Sequence, residues 1–441
     1  MNKHVIAIPF VVLLLAGGAL FYFAQGDSAQ LAPGADQGRE PAFTTPRAER
    51  FPTVNIADVK PWGANEKPVP AKGLAVGRFA EGLAHPRSLL RLPNGDILVA
   101  ETNSPPRPKD SFVDKITNYF MDKAGAGVPS ANRITLLRDS DGDGRAETRT
   151  VFLTGLHSPY GMALLDGTLY VANTDALMAF PYKDGDTKIS APGRKVIDLP
   201  AQAPNQHWTK SLTVGPNGLL YIGVGSNSNI GENGLELEAK RAAVLEVNPR
   251  TGYKRIFASG LRNPVGLAFE PKSGALWGVV NERDMLGSDL VPDYLTRVEF
   301  GAFYGWPWNY WGGYEDRRVQ PQRPEIREYT KRPDYALGNH VAPLGLTFAD
   351  KVQLGAPYLD GAFVGLHGSW NRKPAAGYKV VFVGFADGEA GKAKPVDVLT
   401  GFLDDKGAAR GRPVDVTADA KGALLVSDDV GGVIWRVSKA N

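Results

Sequence analysis

The sequence predicts an all-β protein, a six-bladed β-propeller with an N-terminal signal or anchor segment. Three observations carry that prediction. One phrase of polar opening, apolar alternation and glycine turn returns six times along the chain. Helical periodicity is nearly absent, with Ser111–Lys123 the one amphipathic stretch. Glycine (51) and proline (33) are abundant without the period of three that marks collagen.

The chain begins with Lys3 and an uncharged apolar run from Val5 to Ala24. Its length approaches the roughly 20 residues that span a bilayer, beyond the about 7–15 of a cleavable signal. Residues 1–24 therefore read as a signal peptide or a membrane anchor. Either reading puts the rest of the chain outside the cytoplasm, in the periplasm, with Lys3 on the inner side. Residues 25–72 are rich in Ala, Pro, Gly and charge and read as a tether or arm, not a domain.

The repeats fill residues 73–441. Gly82-Leu-Ala-His-Pro-Arg precedes Asn94-Gly95, and Gly155-Leu-His-Ser-Pro-Tyr precedes Asp166-Gly167. The third copy opens at His207 and turns at Asn217-Gly218; the fourth opens with Gly260-Leu-Arg-Asn-Pro and turns at Ser273-Gly274. Asn339-His-Val-Ala-Pro and Gly411-Arg-Pro open the fifth and sixth, with turns at Asp360-Gly361 and Lys421-Gly422. Asn-Gly and Asp-Gly supply the positive φ angles of two-residue hairpin turns, and the flanking alternation of period two makes half-buried strands. A unit of roughly 50–75 residues has room for four strands and their loops. One such unit cannot bury its own faces, but six packed radially can. The strand at Leu74–Phe79 should close the ring against Val433–Val437.

Composition narrows the chemistry. Fifty basic and 47 acidic side chains leave a net charge of +3, which gives no reason to invoke nucleic acid. Cysteine is absent, so thiolate nucleophiles, cysteine-held metals and covalently attached haem are excluded. Redox chemistry here needs a bound cofactor.

Five of the six histidines, His85, His157, His207, His340 and His367, sit at or beside the repeated phrase. From spacing alone His207 reads as a catalytic base, a metal ligand or a polar residue of the channel mouth. Arg262 and Arg412 stand at two blade openings, and Arg372, in Trp370-Asn371-Arg372, follows the fifth. Guanidinium groups converging from three blades suit a ligand with several carboxylates or phosphates. Asp139, Asp141, Asp143 and Glu147 follow the start of a calcium loop, with Gly144 at its sixth position; an acidic solvated hairpin is the other reading. Gly223-Val-Gly225 lacks the third glycine and the helix of a dinucleotide site.

Gly260-Leu-Arg-Asn-Pro-Val-Gly, Asn281-Glu-Arg-Asp284, Tyr304-Gly-Trp-Pro307 and His367-Gly-Ser-Trp-Asn-Arg372 give the sequence a family likeness. It resembles the glucose/sorbosone dehydrogenases, soluble sugar dehydrogenases dependent on pyrroloquinoline quinone (PQQ), and most of all their sorbosone-dehydrogenase branch. The likeness covers about residues 75–440. It implies a six-bladed propeller holding PQQ and Ca2+. It implies oxidation of an aldose or sugar aldehyde, with electrons passed to a membrane quinone or periplasmic cytochrome. His207 would be the base and Arg262 would stabilise charge on the quinone. Arg262, Asn263, Arg372, Arg412 and Asp429 would hold the cofactor, and backbone carbonyls of Arg283 and Asp284 the calcium. Gln206 stands where the glucose dehydrogenases carry an aspartate, which points away from glucose. A metal-dependent lactonase, with a cage of Glu101, Asn173, Asn263 and Asp429, and a non-catalytic envelope binding propeller are the alternatives.

Overall fold

The computed structural model describes residues 26–49, 52–106 and 112–440. The signal or anchor segment at 1–24 lies outside the described residues.

Six antiparallel sheets, five of four strands and the fifth blade's of six, stand around a central channel. The first blade runs from the channel outward as Pro86–Arg91, Ile97–Glu101, Arg133–Arg138 and Thr148–Leu153. Its successors start at the channel with Met162–Leu165, Lys210–Val214, Asn263–Phe269, Pro343–Phe348 and Pro413–Ala418. The sixth blade takes its outermost strand from the other end of the chain. Leu74–Glu81 pairs with Val433–Lys439, from Leu74 opposite Lys439 to Glu81 opposite Val433, with a bulge between Arg78 and Ala80. The expected closure of the ring is present.

Both faces of each blade are covered by neighbours, so the central strands bury every residue. In Ile97–Glu101, Ile97 and Val99 pack toward the sixth blade, and Leu98 and Ala100 toward the second. This period-two division recurs between each adjacent pair of blades and yields six separate apolar layers.

The turns depart from expectation. Of the six repeat turns, only Asp166-Gly167, with φ of 48° and 69°, is a two-residue turn with both residues left-handed. At Asn94-Gly95 and Asn217-Gly218 glycine alone has positive φ, and the strands are joined by five residues. Asn94 and Asn217 instead accept backbone N–H groups two residues on, at Asp96 and Leu219. Their side chains close a wider loop.

The helix is Phe112–Lys123, inside the first blade's insertion. The 25–72 segment is no free tether over its described part. Asp36 accepts the N–H of Asn339, the Trp62 indole donates to Asp428, and Val69–Pro70 adds a short strand to the fifth blade. It straps the fourth, fifth and sixth blades.

Candidate active site

In an antiparallel blade, the start of the first strand, the end of the second and the start of the third share one end of the channel. The repeated phrase supplies the first of these. His85, His207, Arg262, His340 and Arg412 each stand just ahead of an innermost strand, and thus at one mouth. Ends of second strands supply the rest: Ser226, Glu282, Asp284, His367 and Asp429.

A cavity of about 130 Å³ lies at this mouth, lined by His207, Arg262, Asn263, Glu282, Asp284, Asp293, His340, Trp370 and Asn371 among others. Tyr160, Trp208, Val265, Leu344 and Val414, one from each of five blades, pack into an apolar floor beneath it. Below the floor the channel continues as a second space of about 460 Å³.

His207 has a defined tautomer. Its Nδ1 lies 2.9 Å from the Ser226 carbonyl, which can only accept. The Ser226 hydroxyl, 3.0 Å away, spends its own proton on the Ser228 carbonyl. Both bonds require hydrogen on Nδ1 and leave the Nε2 lone pair bare. Burial, then the Arg262 charge, hold the imidazole well below its usual pKa. It is a neutral acceptor at neutral pH.

Arg262 donates to the Asn229 carbonyl and side chain, to the Glu282 carbonyl at 2.6 Å, and to the Asp284 carboxylate at 3.2 Å. Asp284 also accepts from Asn371 at 2.7 Å and faces His340 Nδ1 at 3.6 Å. Burial opposes its ionisation, but His340 and Arg262 outweigh that and keep it below the ordinary carboxylate range. Asp293 receives the N–H groups of Glu282 and Ala342, yet burial still pushes its pKa up to about 7. Two acceptor oxygens in this wall, Asn263 Oδ1 and Glu282 Oε1, are buried with no donor.

The opposite side of the mouth is cationic. Asp429 accepts from Arg87 at 2.7 Å and His367 at 3.0 Å, with His85 at 3.4 Å. Burial opposes its charge, but the imidazoles and Arg87 around it hold its carboxyl far below the usual range. Burial pushes both His85 and His367 down to about 4. Arg412 donates to the Gly368 carbonyl and the Tyr378 hydroxyl. Here two guanidinium donors, Arg87 Nε and Arg412 Nε, and the ring atom His85 Nε2 are buried without a hydrogen-bond partner. One carboxylate cannot serve them all, and buried donors left unpaired cost about 1–3 kcal/mol each. The mouth is built to receive an anion with several acceptor oxygens.

The other expected site residues lie elsewhere. Arg372 turns to the carbonyls of Ser288 and Pro374, off the cavity, while its neighbour Asn371 points in. Arg283 is fully buried and donates to Glu282, Pro307 and Asn309. The Asp284 carbonyl already accepts from Asn229 and Arg318. These donors occupy the carbonyl, and it is the Asp284 carboxylate that meets the cavity residues Arg262 and Asn371. Glu101 is tied to Arg133 by two bonds, at 3.0 and 2.8 Å, and Asp429 to Arg87, so the lactonase cage is not assembled. His157 sits on an exposed rim with Asp175. In the Asp139–Glu147 turn, one oxygen of each of the four acidic side chains lies within 4.8 Å of the others. Asp139 also accepts the N–H groups of Gly142 and Gly144.

A family model described as TrAA12-like matches residues 68–292 and 322–440. The chain belongs to the TrAA12-like family. An uncharacterized protein of Borreliella burgdorferi is 27% identical over 362 residues, covering 79% of this chain and 91% of its own length. A pyrroloquinoline quinone-dependent pyranose dehydrogenase of Coprinopsis cinerea is 23% identical over 420 residues, covering 81% of this chain and 56% of the enzyme. The holo form of that enzyme's PQQ domain superposes with a TM-score of 0.67 at 20% identity, over 87% of this chain and all of the domain. A calcium structure of the Trichoderma reesei AA12 enzyme gives 0.69 at 17%, over 88% of this chain and 99% of that one. At those identities the superpositions speak for the six-bladed fold. They do not distinguish the sorbosone branch that the sequence resembles.

Proposed function

We propose that this TrAA12-like protein is a PQQ-dependent sugar dehydrogenase, oxidising an aldose or a sorbosone-like sugar aldehyde. The observation that carries the reading is the pairing, in one mouth, of a neutral imidazole with a bare Nε2 and two unpartnered guanidinium donors. The pyranose dehydrogenase relative supports it.

Arg87 and Arg412, each with a donor to spare, would hold the carboxylates of PQQ, with His85 beside them. Bound there, PQQ supplies an ortho-quinone that takes up a hydride. His207 Nε2 would receive the proton of the sugar hydroxyl as a hydride leaves the carbon that bears it, so the substrate gives up two electrons and two protons in all. Arg262, fixed by Asn229, Glu282 and Asp284, sets a permanent positive charge beside the reacting atoms. The floor of Tyr160, Trp208 and their partners closes the lower channel to the site. Calcium takes oxygen ligands, and Glu282 Oε1 and the Asp284 carboxylate are the oxygens this cavity offers it. The Asp139–Glu147 turn is a second proposed calcium position.

With no cysteine for a haem or cluster, the electrons must pass to an external membrane quinone or periplasmic cytochrome. The apolar segment at 5–24 supports a periplasmic location, anchored or released. The test is reconstitution with PQQ and Ca2+ and a dye-linked screen of aldoses and aldehydes. His207→Ala should lose about 10²–10⁴-fold in turnover while still binding PQQ. Turnover within threefold of wild type would remove His207 from this role.

A further inference from the structure

We propose that Arg241, outside the cavity, is the positioning residue that sets the tautomer and direction of His207; the proposal rests on the reading of His207 as base. Arg241 lies just ahead of Ala243–Val247, the third strand of the third blade, and is 4% exposed. It has no carboxylate in contact. Its guanidinium is satisfied by five oxygens instead. Nε donates to the Gly225 carbonyl at 3.1 Å and Nη1 to Pro200 at 3.0 Å. Nη2 reaches Asn205 Oδ1 at 2.8 Å and the carbonyls of His207 and Ser226, each at 3.2 Å.

Four of those five acceptors lie in the two segments that orient the base. Residues 205–207 carry the imidazole, and residues 225–226 carry the carbonyl that accepts its Nδ1–H. One planar fork therefore pins the ring's own backbone and its partner at a fixed separation. Space around them is already full. A Cβ at Gly225 would stand 2.5 Å from His207 Cβ and 2.3 Å from Asn263 Oδ1, so neither segment can shift inward to compensate for a lost fork. Without the guanidinium, the Ser226 carbonyl loses the donor that fixes it, and the imidazole is free to exchange its Nδ1–H and Nε2–H forms. Only the first can accept a proton from substrate. The groups facing this ring are Arg262 and Asp284 from the fourth blade and Arg241 from its own blade.

The experiment uses full-length protein labelled with 15N-histidine, without PQQ, at pH 7.5, with His207→Ala to assign the signal. Wild type should show a single Nδ1–H tautomer at His207. Arg241→Gln should show mixed tautomers there; loaded with PQQ, its kcat should fall about tenfold or more with KM within threefold, since misplacement and not binding is the fault. Arg241→Lys, which keeps the charge but not the fork, should be no better than partly restored. If Arg241→Gln does not fold, Asn205→Ala, which releases one acceptor of Nη2, should give the same tautomer mixing to a smaller degree. A single Nδ1–H form in the folded variants, with kcat within threefold of wild type, would overturn the proposal. The nitrogen signal tests positioning alone, whereas an active His207→Ala would overturn the base and leave the tautomer result intact.

Discussion

At the scale of single residues, the mouth separates arginines that face a ligand from arginines that hold the protein. Arg412 keeps a buried Nε without a partner, whereas Arg372 spends its donors on Ser288 and Pro374. Arg412→Ala should therefore weaken PQQ binding by roughly 1.5–3 kcal/mol, and Arg372→Ala should leave it within twofold, in a spectroscopic titration of the two variants. The sequence singles out Arg372 in Trp370-Asn371-Arg372, while the cavity takes Asn371. The phrase did not show which member faces in, because successive side chains of an extended segment point to opposite sides. The imidazoles make a pH prediction. His85 and His367 are held at about 4 in the fold against 6.5 in the open chain, so the unfolded state binds more protons between those values. Their contribution is whole above pH 6.5 and is lost as pH falls toward 4. Asp415 and Asp428, raised by burial to about 6, act in the opposite direction, losing stability as pH rises toward 6. The comparison with His85→Gln/His367→Gln isolates the imidazoles. Relative to wild type, that variant should gain up to roughly 2–3 kcal/mol per imidazole between pH 7 and 4.5, read from denaturant melts.

At the scale of elements, what was legible was whatever repeats. The opening phrase marked all six blades, and with them His85, His207, Arg262, His340 and Arg412. Ser226, Asp284 and Asp429 come from the ends of second strands, where a single polar residue follows an apolar run. Reading that position in every blade would have found them; only Asp284 and Asp429 were singled out, Asp284 for the wrong atom. Arg241 had no signal, since its role is to bond carbonyls that any sequence supplies. The strap was illegible for a related reason. It docks through backbone groups, as where Ala29 donates to the Lys373 carbonyl and Asn55 to Trp370, which demand no apolar period. The Asp139–Glu147 turn carries a prediction of its own. Calcium should raise the melting temperature of wild type, and Asp141→Asn/Asp143→Asn should abolish that gain without changing turnover at low temperature. Equal gains in both proteins would make it an ordinary acidic turn.

At the scale of the whole molecule, each blade borrows its burial from two neighbours, so the ring is stable only when complete. The pairing of Leu74–Glu81 with Val433–Lys439 completes it. Val437→Pro removes an N–H from a strand paired on both sides and should cost about 3 kcal/mol or more. Ile256→Pro, in the exposed outer strand of the third blade, should cost less, and parallel thermal melts check the order. That same pairing sets a timetable. A ribosome delivers residues 74–81 early, and they must wait, edge bare, until residues 433–439 have been made. Contacts across so long a stretch of sequence form slowly. The ring cannot shut before those residues leave the ribosome, and an unpaired strand has to be shielded from other chains until then.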